Sequence, residues 1–541
     1  MKKTSNLNLP LDGINGLKEN FSSDILSGFI VSLLALPLSL GIATASDFPN
    51  PMYGVLTAII GGMLVSLISG SVLTIKGAAA GLIVICAGSV AAFGGGEAGW
   101  HMTLGVIVVA ALLQILFGVL KLGKLSDFFP LSAIHGMLAA IGLIIISKQL
   151  HILLGVNPLN EEGKPLIEPL ELIGALPSTL AKISSNMPIV VTGIVSLLIV
   201  LFVPLIKSNL LKKIPVPMIV LIVSIPLAQF LGLGDIKGAL LKFDKPFLDI
   251  IKVNVSFGGF SQIGVFIQYV ILFAIIGSLE SLLTAKAIDL LDPYRRKSDF
   301  NKDLMAVGAG NLLAGVLGGL PMISEVARSS ANVNNKAKTR WANFFHGLFL
   351  LLFMLFLIPI IQLIPKAALA ALLIGVGIKL THPNEYINAF KIGREQFIVF
   401  IVTVIFTLGV DLLVGIAAGI ATEFIINLIH GKPLSKSFRP SIDIEEEYEG
   451  EFLVKVYEAA VFSNFMGIKN KLYAIPHGRT IYIDFQDCHV IDHSAMENLH
   501  HFEHDYEESG GTVEIIGLDE HESVSNHKLA ARKKRKLQPV Q

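Results

Sequence analysis

Apolar residues occupy this chain in long runs, not in the short alternations that build a soluble core. A helix crossing a hydrocarbon layer needs about 20 mostly apolar residues. Runs of that kind recur near 24–46, 50–70, 101–122, 131–154, 186–206 and 216–232, with a shorter one at 76–93. After a polar interval they return at 262–285, 303–320, 343–364, 366–380, 396–412 and 413–430, again with one short piece, 321–332, flanked by Gly and Pro. Each half therefore holds seven segments. An odd number per half makes the second half enter the membrane in the reverse direction. The predicted fold is an α-helical polytopic membrane protein with fourteen transmembrane segments in a 7+7 inverted repeat. Short interrupted segments at matching places in two such halves point to a binding site at the midplane.

Near residue 436 the pattern changes. SIDIEEEYEGEF is acidic, FLVKVYEA and TIYIDF alternate like strands, SAMENLHHFEHDYEE reads as a helix, and TVEIIGL is a further strand. The expected division is a cytoplasmic N-terminal segment 1–23, a transport domain 24–435, a small α/β domain 436–525 and a basic tail 526–541. The tail's run Arg532 to Lys536 reads as solvated, with anionic-lipid binding as the alternative. The first apolar run, from Asp24, is too long for a removable signal and reads as a retained span.

Charge placement orients the bundle. With a cytoplasmic N-terminus, the even-numbered loops hold Lys76, Lys121, Lys124, Lys207, Lys212 and Lys213, then a denser set from Lys286 to Arg394. The odd-numbered loops hold Lys164, Lys182, Lys237, Lys242, Lys245, Lys252 and Lys366, four of them in one long loop. Positive charge stays cytoplasmic during insertion, so both termini are expected there, in a cell inner membrane.

Composition agrees and excludes other classes. Of the 541 residues 53% are hydrophobic and 16% charged, and Lys+Arg 42 balances Asp+Glu 42, so the total argues for neither a nucleic-acid binder nor an acidic-substrate binder. Two cysteines, Cys86 and Cys488, form neither a disulfide framework nor a CxxC pattern. No P-loop, nucleophile elbow or HExxH is present to run enzyme chemistry. His500 and His504 share a helix face, but no Cys or HExxH accompanies them, so they read as solvated and no metal or other cofactor is expected.

Four stretches carry a family resemblance: GFIVSLLALPLSLGIATA, TIKGAAAGLIV, FAIIGSLESLLTAKAID and NLLAGVLGGLPMISEVARSSANVNNKAKTR. In this order and spacing they resemble the SulP inorganic anion transporters, the bacterial relatives of the SLC26 carriers. IDFQDCHVIDHSAMENL resembles the strand, loop and helix of the cytoplasmic STAS domain that ends such chains. Its Asp-Ser pair would be Asp492 and Ser494, a candidate regulatory site, with His493 in place of the commoner Ser.

The resemblance implies that the third and tenth segments are half-helices whose N-termini face each other. The pocket would lie beside Gly77, Ala78 and Ala79 and beside Ile323, Ser324 and Glu325, with Leu38 and Ile42 of the first segment close by. Each helix N-terminus carries roughly half a positive charge, so an anion is the expected guest. Arg328 is either the family's anion-site arginine or a partner that staples the helix through Glu325. Glu280 and Thr284 share a helical face and suit Na⁺ coordination or proton carriage, unless Glu280 only compensates Arg328. Where relatives have Pro after the third-segment glycine this chain has Ala78, and where sulfate-type members often have Gln after the first-span proline it has Leu38. Fewer polar donors there favour a singly charged oxyanion.

The expectation is secondary active transport of a sulfate- or bicarbonate-class anion, coupled to Na⁺ or H⁺. An uncoupled channel, a chloride/bicarbonate exchanger or a dicarboxylate transporter are the alternatives. A homodimer, surrounding membrane lipids and a cytosolic partner for the STAS domain complete the expected partners.

Overall fold

The computed structural model describes residues 9–123, 129–158, 166, 168–208, 214–429, 439–448 and 450–535. The loop charges Lys124, Lys164, Lys212 and Lys213, the STAS-domain approach at 430–438 and the tail beyond Arg535 lie outside the described residues. Among the described residues, fourteen helical segments match the fourteen apolar runs. They are α1 (Gly13–Ala45), α2 (Met52–Ile60), α3 (Ile83–Ala92), α4 (Gly96–Val119), α5 (Leu131–Leu153), α6 (Met187–Phe202), α7 (Val216–Phe230), α8 (Ile263–Leu291), α9 (Phe300–Leu317), α10 (Val326–Asn334), α11 (Trp341–Phe356), α12 (Lys366–Leu380), α13 (Arg394–Gly409) and α14 (Leu412–Ile429). Seven described helices are long and apolar enough to cross a membrane unaided. In hydrocarbon every backbone polar group needs an internal partner, which is why helices carry the spans.

Residues cluster into two compact units: 9–123 with 141–379, and 129–140 with 380–535, as far as each is described. In the first unit, α1 starts at Gly13, upstream of the apolar run, because the Asp12 carboxylate caps it by accepting from Gly13 N at 2.8 Å. α1 packs along α11, and α4 along α9. The second contact depends on small residues: a Cβ on Gly308 would lie 2.8 Å from the Ile115 side chain and 3.0 Å from the Ala111 carbonyl. Without a hydrophobic drive between helices in lipid, such close approach supplies the packing energy.

Both half-helices are preceded by a short strand, β1 (Lys76–Ala78) before α3 and β2 (Met322–Ser324) before α10. The strands pair antiparallel, with Lys76 opposite Ser324, Gly77 opposite Ile323 and Ala78 opposite Met322. Antiparallel pairing is what a reversed repeat brings together, and it satisfies backbone groups that no helix covers at that depth.

The second unit holds α13, α14, the start of α5 and the C-terminal domain. One sheet runs β3 (Ile442–Tyr448), β4 (Glu451–Val456), β6 (Thr480–Asp484), β8 (Thr512–Ile516) in that order, parallel except for the β3–β4 pair. The other runs β5 (Glu458–Ala460), β7 (Cys488–Ile491), β10 (Arg532–Lys534), β9 (His521–Ser523). Helices α15 (Phe462–Leu472) and α16 (His493–Glu508) close a core of Val454, Phe465, Ile481, Phe485 and Phe502. This α/β domain is consistent with a STAS domain. Arg532, Lys533 and Lys534 correct the expected solvated tail, because Arg532 pairs with both Ile491 and Ser523. Ladder bonds come from the backbone, so a basic sequence does not prevent them.

Candidate functional site

The β1–β2 crossing is held by side chains from neighbouring elements. Asn311 on α9 donates through Nδ2 to the Met322 carbonyl at 3.1 Å and accepts from Met322 N at 2.5 Å. Ser329 accepts from Ile75 N at 2.8 Å, and Asn332 donates to the Leu73 carbonyl at 2.9 Å. Two turns of α10 thereby grip the chain entering β1.

Gly77, Ala78, Ile323 and Ser324 come together as register partners or neighbours in this crossing, and Ala79 follows directly on β1, buried. Leu38 and Ile42 are buried on α1, which packs against β1, α3 and α10. Arg328, 0% exposed, reaches back across the crossing: its Nη2 donates to the Ala78 carbonyl at 3.4 Å. A Cβ on Gly77 would stand 2.4 Å from Arg328 Nη1, so glycine is what lets the guanidinium lie there. Nε and Nη1 of Arg328 have no hydrogen-bond partner among the described residues.

Glu325 departs from the expectation of an open helix N-terminus. Its carboxylate caps α10 by accepting from Arg328 N at 2.8 Å, while its Oε2 lies 3.9 Å from Arg328 Nε. The cap therefore takes one backbone donor that a guest would use. The contact to the guanidinium is too long for a hydrogen bond, so the helix staple is a weak one.

Glu280 on α8 is buried, and its Oε1 has no hydrogen-bond partner among the described residues. It points at the start of the third segment, since a Cβ on Gly81 would meet that oxygen at 1.9 Å. Among the described residues no ion pair joins it to Arg328. Thr284 is buried one turn further along α8.

Two functional-looking residues escaped the sequence reading. Lys76, counted there as a loop charge, is completely buried on β1 and pairs with Asp303 of α9 at 2.9 Å. The one available signal was an acid, Asp303, at the mouth of an apolar run together with a lysine one residue before the third-segment glycine.

In the C-terminal domain Asp492 caps α16 by accepting from Ala495 N at 2.8 Å and also accepts from Phe462 N, at the start of α15, at 2.7 Å. Ser494 is 3% exposed and its hydroxyl accepts from Leu131 N at 3.4 Å. His500 and His501 lie beside Glu503 and Glu497 on the exposed face of α16.

The Sulfate permease family profile matches residues 21–403. YvdB of Bacillus subtilis (strain 168), named as a candidate sulfate transporter, is 25% identical over 532 residues, 94% of either chain. The bicarbonate transporter BicA of Picosynechococcus sp. (strain ATCC 27264 / PCC 7002 / PR-6) is 25% identical over 425 residues, 76% of this chain and 70% of that one. Among solved structures, the transmembrane domain of a cyanobacterium bicarbonate transporter BicA matches with TM-score 0.63 at 22% identity, covering 74% of this chain and 97% of that one. SLC26A9 matches with TM-score 0.65 at 16% identity, covering 93% and 85%. At such identities the structural likeness speaks for the fold.

Proposed function

The chain belongs to the sulfate permease family, an integral membrane family of anion transporters, and from that premise we propose that it carries a sulfate- or bicarbonate-class anion by cation-coupled secondary transport. The observation that carries the reading is Arg328, fully buried with Nε and Nη1 unpartnered among the described residues and Nη1 lying against Gly77. A buried charge without partners is costly, and a bound anion offsets that cost.

The anion would sit against the guanidinium and the backbone of Gly77, Ala78 and Ala79 on one side, and of Ile323, Ser324 and Glu325 on the other. Leu38 and Ile42 would wall it with apolar surface, which suits a small, singly charged oxyanion better than a large dianion. Helix dipoles of α3 and α10 supplement the one full positive charge. As formal charges, the junction holds one guanidinium, Arg328, and two carboxylates, Glu325 beside it and Glu280 against Gly81. An arriving anion would leave the site strongly negative, so a proton or Na⁺ must arrive with it. Glu280 with Thr284 is the place we assign to that cation, because its Oε1 is buried and unpartnered among the described residues. We further infer a homodimer in a cell inner membrane with both termini cytoplasmic, and a cytosolic partner for the STAS-like domain.

The test is tracer uptake into proteoliposomes of sulfate, bicarbonate, chloride and dicarboxylates, with Na⁺ and pH gradients imposed separately. One oxyanion should accumulate under one of the gradients, and Glu280→Gln should remove the dependence on that gradient. Flux indifferent to every cation gradient, with channel-sized currents, would instead assign uncoupled conduction.

A further inference from the structure

Every hydrogen-bond partner of the Lys76 ammonium among the described residues is an oxygen. Nζ lies 2.9 Å and 3.1 Å from the two carboxylate oxygens of Asp303 and also donates to Thr74 Oγ1. The two charged side chains are 0% and 2% exposed. Around the same carboxylate stand Ser69 Oγ at 2.6 Å, Ser71 N at 3.1 Å and Ser324 Oγ at 3.3 Å. Ser71 Oγ is buried with no hydrogen-bond partner among the described residues. The ammonium thus sits on both oxygens of one carboxylate and on one hydroxyl, oxygen donors of the kind that hard cations select, while Ser69, Ser71 and Ser324 hold that carboxylate in place.

We propose that Lys76 is a tethered cation: its ammonium fills an oxygen nest at the half-helix junction that would otherwise bind a monovalent metal ion of the Na⁺ class. The ammonium's oxygens come from the approach to β1, through Thr74, and the first turn of α9, through Asp303, whose carboxylate is also held by Ser324 of β2, the register partner of Lys76. A positive charge at this point draws both crossing strands onto α9. A free ion could leave during a transport cycle, whereas an ammonium on its own chain cannot. The junction therefore keeps this charge in every conformation, and the position adds no ion to the coupling stoichiometry. An ordinary buried ion pair would do none of this specifically, since such pairs can often be exchanged for apolar residues at little cost.

The inference stands apart from the anion-site assignment, because its first readout is thermal stability of the purified full-length protein without substrate. Lys76→Ala is compared with wild type in NaCl, KCl, LiCl and choline chloride at equal ionic strength. The variant should melt lower than wild type in choline, and Na⁺ or Li⁺ should raise its melting temperature by several degrees beyond any rise in wild type. That extra rise should vanish in Lys76→Ala/Asp303→Ala, and ²²Na⁺ binding should show one more site in Lys76→Ala than in wild type. Recovery of folded Lys76→Ala only in Na⁺ or Li⁺ supports the proposal equally. Identical behaviour in choline and Na⁺, or failure to recover it in any cation, overturns it. So does an apolar double replacement, Lys76→Met/Asp303→Leu, that restores wild-type stability and uptake, since that marks a plain structural pair.

Discussion

Arg328 in the membrane-embedded junction and Asp492 in the C-terminal domain are both buried charged side chains, and the protein satisfies them in opposite ways. Asp492 holds the first turns of two helices, accepting from Phe462 N and Ala495 N, so its charge is spent on architecture. Arg328 makes one long bond to the Ala78 carbonyl and leaves Nε and Nη1 open among the described residues. A domain in water gains nothing by burying an unsatisfied charge, and folding removes such cases. In the proposed function a transporter keeps one, with the cargo as its missing partner. Lys76 with Asp303 lies between these extremes, a charge set inside the membrane unit that is closed by the chain itself.

If the contrast is right, breaking each charge should have a different consequence. The largest effect is expected for Arg328→Ala: uptake falls by about 100-fold or more, with folding retained by size-exclusion profile, as truncating a buried charge at a binding site costs several kcal/mol. Undiminished uptake would end the assignment. Gly77→Ala comes next. Its Cβ meets Nη1 at 2.4 Å, so the guanidinium must shift, and uptake should fall roughly tenfold while Lys and Ala exchanges at exposed loop positions leave it alone.

Asp492→Ala should leave the affinity for the anion unchanged. It should destabilise the C-terminal domain by about 1–2 kcal/mol, the usual scale of a lost cap, read as faster amide exchange across α15 and α16. A loss of anion affinity equal to that of Arg328→Ala would erase the distinction. The smallest effect concerns Glu497. Burial alone would raise its carboxyl, yet the imidazoles of His501 at 3.9 Å and His493 at 3.4 Å hold it below the ordinary 4.5. A carboxyl lowered in the folded state stabilises above its unfolded value and loses that contribution as pH falls through the lowered one. Glu497→Gln should therefore cost well under about 1 kcal/mol at pH 7, and the difference from wild type should shrink below pH 4.5.

Much of the membrane region was legible in the sequence because lipid imposes a length and an apolarity that few other environments demand. The two short segments stood out for the same reason, being too brief to span and interrupted by Gly and Pro. Arg328 and Glu280 were visible as charges where charges are costly. Glu325 was visible too, but whether it pairs with the guanidinium or caps its own helix depends on a rotamer that spacing does not choose. Lys76 was misread as a loop charge because counting charges along the chain cannot separate a lysine facing water from one folded beneath a strand. Arg532 to Lys534 looked solvated by composition, although the edge that accepts their backbone is made by β7 and β9.

What the sequence by itself determined is the solvent of each region and the order of the segments, since hydrophobic transfer acts residue by residue and needs no partner. It also determined that a few charges inside the apolar runs must be accounted for. Only the tertiary structure decided which of these charges find one another. Lys76 meets Asp303 across more than two hundred residues, Asp492 meets two helix starts, and Arg328 meets a glycine and the Ala78 carbonyl. Such pairings depend on directional contacts a few ångströms long between distant parts of the chain, and no local pattern encodes a distance in space.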